Sequence, residues 1–579
     1  MSMRLMSDRR AAPGHPDQGM PAGGQHRAPP ETADFNGAYP RLSDTQIAAL
    51  ATLGRPRDVQ PHEILFREGD RNCDFFVVLA GNVAILEGHG TPEERIIGVH
   101  GRGRFLGELS LLTGETMFYS AMAASPGQVL AVPVDRLRAL VARDPALGDL
   151  ILRAYLIRRS ILIGLGIGLR IVGSRYSPDA RRLRDFAARN RLPSRWLDLE
   201  KDPGAEALLS QLGVTPADTP IVILHGRQLL RNPSNAELAA ALGLPAPSGP
   251  RTVCDLLVVG AGPAGLSAAV YGASEGMDTV VLDGTATGGQ AGTSSRIENY
   301  LGFPSGISGA ELTDRAVIQA LKFGARFVVP AEAVSIGYGD GHSEVRLEDG
   351  SSVSARSVVI ATGVRYRRLD VPRLEHFEKA SVYYAASQAE AQLCRDDPVA
   401  VVGGGNSAGQ ATVFLARHAA RLALIVREKD LGECMSRYLI DQIERIPNVE
   451  IMLGTEVREL LGDQALEAVV VDDGQTGSRR TVEARALFVF IGAAPCTGWL
   501  GALVDLDDHG FVRTGIDAER AVAGGSGSET YARRAALETS QPGILAVGDV
   551  RSGSVKRVAS AVGEGAMAIR LAFESMNSR

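Results

Sequence analysis

The chain has 579 residues, 45% of them hydrophobic and 22% charged, with a formal net charge of −6. At roughly 150 residues per domain this length predicts about four domains, and the mild net acidity argues against a dedicated nucleic-acid surface. The five cysteines are scattered without C-x-x-C spacing, which is typical of a reducing cytoplasm. The most apolar run, residues 161–169, is too short to span a membrane. We therefore expect a cytoplasmic multidomain protein.

The N-terminal part divides by composition into three segments. Residues 1–40 are rich in Pro, Gly, Ala and His without periodicity, which predicts a disordered tail. Residues 41–165 combine short strand-like runs, glycine turns and a closing helical pattern of Leu and Val. In residues 166–247 predicted strands and helices alternate, as in a small α/β domain, and the proline-rich residues 245–250 mark a linker.

A glycine-rich turn follows a buried-strand pattern at residues 256–259. The turn has the G-x-G-x-x-G spacing and consists of Gly260, Ala261, Gly262, Pro263, Ala264 and Gly265. The first glycine permits the tight turn, the second lets the backbone approach a pyrophosphate, and the third allows close helix packing. Asp283 ends the next predicted strand, 23 residues after Gly260 (283 − 260), where a carboxylate can bind ribose hydroxyls. The segment therefore predicts a dinucleotide site.

The same unit occurs a second time. Its turn contains Gly403, Gly405, Asn406, Ser407 and Ala408. Two units predict two nucleotides, most naturally a flavin and a nicotinamide dinucleotide. The second unit ends in Arg427, which suits a 2′-phosphate, and Glu428, which suits a free ribose hydroxyl. The choice between NADPH and NADH stays open at this point.

From Asp255 to the C-terminus the chain resembles bacterial-type, low-molecular-weight thioredoxin reductases. The matching segments are GAGPAG, TGGQAGTSSRIENYLGFP, VVIATG, VVGGGNSA, FVFIGAAP and GILAVGDV. The resemblance implies a homodimer that binds FAD with both ends of this segment and NAD(P)H between them. The residues that it implies along the FAD are Gly289, Gln290, Asn299, Thr362, Gly363, Gly548, Asp549, Arg557 and Val558. Arg557 stands where the family usually has glutamine.

One departure from this family concerns the redox chemistry. The family carries its redox-active C-x-x-C just before the second glycine turn, where this chain has Ala385, Ser387 and Gln388. Cys394 follows alone. Because disulfide exchange needs a thiolate with a resolving partner, we predict no catalytic cysteine in this region.

Residues 55–160 resemble cyclic-nucleotide-binding domains through FREGD, FFVVLAGNVAIL and FLGELSLLTGETMFYSA. The resemblance implies a cassette in which Gly107, Glu108 and Leu109 face a cyclic nucleotide. Met117 stands where such domains have the phosphate-binding arginine, which predicts weak binding or none. Arg102 or Arg104 is a candidate replacement cation, and a barrel retained for docking or dimerisation is an equal alternative to ligand sensing.

Residues 168–247 resemble a thioredoxin- or glutaredoxin-like fold. Pro220, after Thr219, suits the cis-proline turn that faces the active site in such folds. The active-site turn carries Ser174 and Ser177 and has no cysteine, so dithiol chemistry is excluded from this module.

These patterns and resemblances together predict a multidomain fold. It comprises an α+β cyclic-nucleotide-binding-like barrel (41–165), a small thioredoxin-like α/β domain without cysteines (166–247), a Rossmann-like FAD domain (251–366 and 498–579) and a Rossmann-like NAD(P) domain (367–497).

The predicted function is hydride transfer from NADPH or NADH to FAD and on to an unidentified acceptor, a small molecule or a redox protein. The N-terminal barrel is a candidate regulator of this reaction, and no metal, nucleic acid or membrane is expected. Two alternatives remain: thioredoxin reduction despite the missing C-x-x-C, and a non-enzymatic flavin-based redox sensor.

Overall fold

The computed structural model describes residues 30–577, apart from residues 72, 109–115, 226–227, 245–252, 295, 379–380, 385, 387, 464, 475–476 and 519–533. The predicted linker and most of the predicted tail lie outside these residues. No helix in the described ranges is both long and apolar enough to cross a membrane.

The N-terminal domain is a barrel-like sandwich of two antiparallel four-stranded sheets. The sheets are ordered β1–β8–β3–β6 and β2–β7–β4–β5, and apolar side chains of both meet in one core. The elements are α1 (Asp44–Ala51), β1 (Arg55–Val59), β2 (Ile64–Phe66), β3 (Phe75–Ala80), β4 (Val83–Glu87), β5 (Arg95–His100), β6 (Phe105–Leu106), β7 (Ser120–Ala123), β8 (Gly127–Val132), α2 (Val134–Arg143) and α3 (Pro145–Leu165).

The closing helical pattern forms two helices, α2 and α3, rather than one. Pro145 lacks the backbone N–H that would continue α2, and it disfavours helical geometry in the residue before it. The Asp144 side chain accepts hydrogen bonds from the amides of Ala146 and Leu147, which starts α3.

The prediction of a disordered tail over residues 1–40 is wrong for residues 30–40. Thr32 exchanges two hydrogen bonds with Val99, at 3.0 Å from its amide and 2.8 Å to its hydroxyl. The Glu31 carboxylate lies 2.6 Å from Arg41 and 2.9 Å from Arg104. These contacts hold the segment on the barrel, which composition does not reveal.

The small domain follows, with its sheet ordered β10–β9–β11–β12. Strands β9 and β10 are parallel and the other pairs antiparallel, and the Thr219–Pro220 peptide is cis as predicted. Its elements are β9 (Leu169–Gly173), α4 (Pro178–Arg189), β10 (Ser194–Asp198), α5 (Pro203–Gln211), β11 (Ile221–Leu224), β12 (Gln228–Arg231) and α6 (Asn235–Ala241).

The third domain contains a sheet ordered β15–β14–β13–β18–β17–β16, and β29 pairs with β18 in parallel. The chain thus leaves this sheet after β18 and returns to it near the C-terminus. Helix α13 then packs along α7. The elements are β13 (Cys254–Val259), α7 (Pro263–Ser274), β14 (Thr279–Leu282), α8 (Gly309–Lys322), β15 (Arg326–Val328), β16 (Ala333–Gly339), β17 (His342–Leu347), β18 (Ser352–Ile360), β29 (Ile544–Ala546) and α13 (Val558–Asn577).

The inserted domain has a parallel sheet ordered β20–β27–β21–β22–β23 and a three-stranded antiparallel sheet, β24–β25–β26. A two-stranded ribbon, β19–β28, joins it to the previous domain. The elements are β19 (Val364–Tyr366), α9 (Leu374–Phe377), β20 (Val382–Tyr383), α10 (Gln388–Leu393), β21 (Pro398–Val402), α11 (Asn406–Leu415), β22 (Arg421–Ile425), α12 (Arg437–Ile443), β23 (Val449–Met452), β24 (Thr455–Leu461), β25 (Ala468–Asp473), β26 (Arg479–Glu483), β27 (Ala486–Val489) and β28 (Ala493–Pro495).

Candidate functional site

The first glycine turn connects β13 to α7. Gly260 has φ +108°, and a Cβ there would lie 2.3 Å from the Ala361 carbonyl oxygen, so only glycine fits. A Cβ on Gly265 would lie 1.8 Å from the Gly260 carbonyl oxygen, because α7 packs tightly on the turn. A Cβ on Gly262, by contrast, would meet nothing closer than the Gly289 Cα at 3.9 Å.

The space in front of Gly262 is a cradle at the N-terminus of α7, which begins at Pro263. The first-turn amides of a helix and its dipole favour a phosphate group. A dinucleotide pyrophosphate fits this cradle, because the second glycine contributes no side chain to it. Ala264 is buried on α7, and its Cβ lies 3.0 Å from the position that a Cβ on Gly548 would take.

Asp283 has a positioning role that the sequence does not show. Its carboxylate accepts hydrogen bonds from the amides of Ala261 at 2.9 Å, Thr285 at 3.0 Å and Ala286 at 3.1 Å. The predicted ribose acceptor therefore also holds the glycine turn against the loop after β14. Three of its roughly four acceptor positions are used by the protein itself.

The loops around this turn bring several of the predicted FAD residues together. Gly289 has φ +54°, and a Cβ there would lie 2.9 Å from the Gly262 Cα. The Gln290 side-chain amide donates to the Val364 carbonyl. The Thr362 hydroxyl donates to the Cys496 carbonyl at 2.8 Å, and Gly363, at φ +63°, accepts from the Cys496 amide at 3.0 Å.

The C-terminal part of the site lies at the start of α13. Gly548 has φ +73°, and its amide donates to Glu564 at 2.7 Å. Burial raises the pKa of the neighbouring Asp549 carboxyl, which Lys556 opposes. Asn299 and Arg557 are exposed, and the partly buried Val558 begins α13.

The second glycine turn, between β21 and α11, repeats this geometry. Gly403 has φ +137°, and a Cβ there would lie 2.4 Å from the Phe490 carbonyl oxygen. Gly405 has nothing within 4 Å of its Cβ position. The Asn406 side chain accepts from the Ser436 amide at 2.7 Å, which ties α11 to the loop before α12, while Ser407 is exposed. A second nucleotide cradle is therefore present.

The two charged residues that follow β22 differ in position. A Cβ on Gly404 would lie 2.7 Å from a carboxylate oxygen of Glu428, whose side chain is only 19% exposed. The side chain of Arg427 is 75% exposed and lies 3.1 Å from the Glu428 carboxylate. The carboxylate, and not the guanidinium, thus covers the glycine turn.

The region of the expected dithiol offers no redox pair. Ala385, Ser387 and the side chain of Gln388 lie outside the part of the chain that the structure describes. All five cysteines are free. The Cys394 thiol is buried, donates to the Glu390 carbonyl at 3.2 Å, and burial raises its pKa to about 11. Among the described residues, no cluster of His, Cys, Asp or Glu has the makings of a metal site.

The cassette of the N-terminal barrel contains a buried ion pair. Glu108 is fully buried, and its carboxylate lies 2.8 Å from Arg158 of α3, which is 5% exposed. Arg158 also stacks on the Phe105 ring at 4.6 Å. Gly107 has φ +88°, and Leu109 lies outside the described residues. The acid that the resemblance assigns to a ribose is therefore neutralised from within the protein.

Of the two cations that the sequence suggested as replacements for the missing arginine, Arg104 has an internal partner and Arg102 lies on the surface. Met117 is fully buried in the apolar core. Arg104 is buried and paired with Glu31 at 2.9 Å, while Arg102 is exposed.

We predict that cyclic AMP and cyclic GMP bind no better than at millimolar Kd, since Glu108 and Arg104 both have internal partners. Isothermal calorimetry of the full chain measures this. Glu108→Gln serves as the control and should give the same absence of heat. Micromolar or tighter binding by the wild type would contradict the prediction.

Comparisons with known proteins agree with this geometry. Residues 254–565 match the family described as pyridine nucleotide-disulphide oxidoreductase, and residues 56–144 match the cyclic nucleotide-binding domain. A thioredoxin reductase of Treponema pallidum is 31% identical over 318 residues, 55% of this chain and 95% of that protein. A 34.2 kDa protein in the rubredoxin operon of Clostridium pasteurianum is 30% identical over 318 residues, 55% of this chain and 96% of that protein.

Solved structures show the same likeness. The thioredoxin reductase of Lactococcus lactis superposes with a TM-score of 0.51 at 26% identity, covering 56% of this chain and all of that one. The thioredoxin reductase of T. acidophilum superposes with a TM-score of 0.50 at 29% identity, covering 56% of this chain and 99% of that one. The site is that of a flavin- and nicotinamide-dependent oxidoreductase.

The chain belongs to the pyridine nucleotide-disulphide oxidoreductase family and is similar to its thioredoxin reductases over about 55% of its length. It is an FAD-dependent NAD(P)H oxidoreductase with an N-terminal cyclic nucleotide-binding domain. The predicted fold class, family and cofactors are confirmed.

Proposed function

We propose that this protein transfers electrons from a reduced nicotinamide dinucleotide through FAD to an acceptor that meets the flavin without a protein dithiol. The observation that carries the proposal is the pair of open glycine cradles at Gly262 and Gly405, combined with the burial of Cys394. When bound, FAD accepts a hydride from reduced nicotinamide and passes on two electrons.

The residues of the first cradle have distinct tasks in this proposal. Gly262 and the N-terminus of α7 receive the FAD pyrophosphate, and Asp283 keeps the turn in place through its three amide contacts. The loop residues Gln290 and Thr362 would help to hold the cofactor. Asp549 would accept hydrogen bonds from its ribityl hydroxyls, and the raised pKa of this carboxyl reflects the burial of the position.

The proposal includes the domain boundaries, which the sheet topology supports. Residues 251–366 and 498–579 form the FAD domain, which the return of β29 to β18 supports. Residues 367–497 form the nicotinamide domain, which the β19–β28 ribbon supports.

Residues 166–247 form a thioredoxin-like domain that has structural serines in place of cysteines. The strand order and the cis peptide before Pro220 support this assignment. The Ser177 hydroxyl caps α4 by accepting from the Ala180 amide at 3.2 Å, and the Ser174 hydroxyl donates to Glu200 at 2.7 Å.

A homodimer is part of the proposal. Three large apolar side chains on α7 and α13 are exposed to solvent: Tyr271, Met567 and Phe573. A surface of this kind, on the helices that cover the FAD sheet, supports association with a second copy. Light scattering of the purified protein measures its oligomeric state, and a monomer at micromolar concentration would contradict the proposed homodimer.

The protein should prefer NADH to NADPH. A carboxylate over the glycine turn accepts hydrogen bonds from ribose hydroxyls but repels a 2′-phosphate. Replacing Glu428 with serine should lower kcat/KM for NADH about 10- to 100-fold, the loss of one or two charge-assisted hydrogen bonds, and improve the NADPH/NADH ratio. Steady-state kinetics with both nucleotides measures this.

The matched control for that variant is Arg427→Ala, which removes a solvent-exposed charge and should change NADH kinetics little. A selective rise in KM for NADPH in Arg427→Ala, with a wild type that favours NADPH, would show that the guanidinium reads the 2′-phosphate after all.

A further inference from the structure

Helix α4 of the small domain contacts the nicotinamide domain through Arg181. Its guanidinium donates to the carbonyls of Glu378 and Val382, the latter at 3.4 Å, and lies 4.8 Å from the centre of the Tyr383 ring. Tyr383 is buried and stacks on Phe488 at 5.1 Å. Arg181 thus binds two backbone carbonyls and one aromatic face at the edge of the β20–β27 pair.

The other end of the same helix is fixed to the FAD domain. The Asn190 side-chain amide donates to the Thr285 carbonyl at 3.1 Å, and Arg191 lies 2.7 Å from the Asp314 carboxylate. Arg159 of the barrel helix α3 in turn donates to the carbonyls of Asn190 and Arg191, at 3.3 and 3.2 Å. The helix is therefore held at both ends, by two different nucleotide-binding domains.

The position of the Arg181 contact is informative. Arg181 contacts Glu378, Val382 and Tyr383, which come shortly before positions 385–388, where the thioredoxin reductases carry their redox dithiol. In this chain, neither those positions nor the turn before helix α4, with Ser174 and Ser177, has a cysteine. The small domain thus contacts the nicotinamide domain close in sequence to the positions from which the dithiol is missing.

We infer that helix α4 is a built-in occupant of the surface formed by Glu378, Val382 and Tyr383, and that it keeps an external redox protein from docking there. Arg181 already occupies the carbonyls of Glu378 and Val382 and one face of Tyr383. Through Arg181 at one end and Asn190 and Arg191 at the other, this segment joins the small domain to both nucleotide-binding domains. The inference rests on these contacts and does not require the proposed electron acceptor.

Hydrogen exchange of the full-length flavoprotein tests this contact. Arg181→Gln and Arg181→Glu should accelerate amide exchange in peptides covering residues 374–384 about tenfold, because loss of the contact exposes this edge to solvent. Peptides of the β21–β22 pair and the FAD content should stay unchanged, which shows that the domain itself remains folded.

Arg182→Gln is the matched control on the next residue of the helix. Arg182 donates to Asn235 and Asn232, both at 3.0 Å, within its own domain. The Arg182→Gln variant should leave amide exchange in residues 374–384 at the wild-type rate. Added thioredoxin should also leave that rate unchanged in the wild type.

Three results would overturn the inference. One is unaltered exchange in both Arg181 variants. Another is an equal acceleration in Arg182→Gln. The third is protection of residues 374–384 when thioredoxin is added to the wild type, because that would show the surface to be free.

Discussion

Gly262→Val should give a folded but colourless protein, whereas Gly405→Val should give a yellow protein that NADH and NADPH no longer reduce. Both glycines have backbone angles that any residue adopts, φ −74° and ψ −177° for Gly262 and φ −89° and ψ 177° for Gly405. Valine favours such extended geometry. The added methyl groups therefore occupy the cofactor's place and do not strain the turn.

Cofactor content and the visible spectrum measure the first effect, and anaerobic mixing with NADH or NADPH measures the second. Gly164→Val is the control, because Gly164 also has nothing within 4 Å of its Cβ position but lies on α3, away from both turns. It should keep the flavin and its reduction. Flavin retained by Gly262→Val would show that the pyrophosphate binds elsewhere.

Thioredoxin should not be reduced by this protein at a rate above background. Exchange with a substrate disulfide needs an accessible thiolate and a resolving thiol. With a pKa of about 11, only about one Cys394 thiol in a thousand is ionised at pH 8, and that thiol is buried. The small domain, whose turn contains no cysteine, cannot supply one either.

Insulin turnover with NADH and thioredoxin measures this activity. Cys394→Ser should leave the oxidation of NADH by a small acceptor such as a quinone unchanged, since the thiol takes no part. Cys434→Ser is the matched control for an exposed cysteine. Thioredoxin reduction that disappears in either variant would show that a distant thiol completes a redox pair in the fold.

The nucleotide-binding turns were predictable because their chemistry is local. The turn needs a glycine at Gly260, where φ is positive, and open space where a side chain of Gly262 would lie. These two requirements place glycines at a fixed spacing in the sequence. The second turn, at Gly403 and Gly405, repeats it.

The long-range pairings were not predictable from the same patterns. Arg158 lies 50 residues after Glu108 (158 − 108), and a helix of Leu and Arg does not show which acid its arginines meet. The three amide contacts of Asp283 depend on how the loop after β14 folds back. The contact between Arg181 and Tyr383 joins residues from two domains, and no local periodicity encodes it.

Anaerobic titration of the purified flavoprotein with NADH tests the central claim most directly. A bound flavin accepts two electrons, and an active-site disulfide would accept two more. One equivalent of NADH should therefore reduce the flavin completely, with no second equivalent consumed. Uptake of two equivalents per flavin would contradict the account, because it would require a redox-active disulfide in the chain.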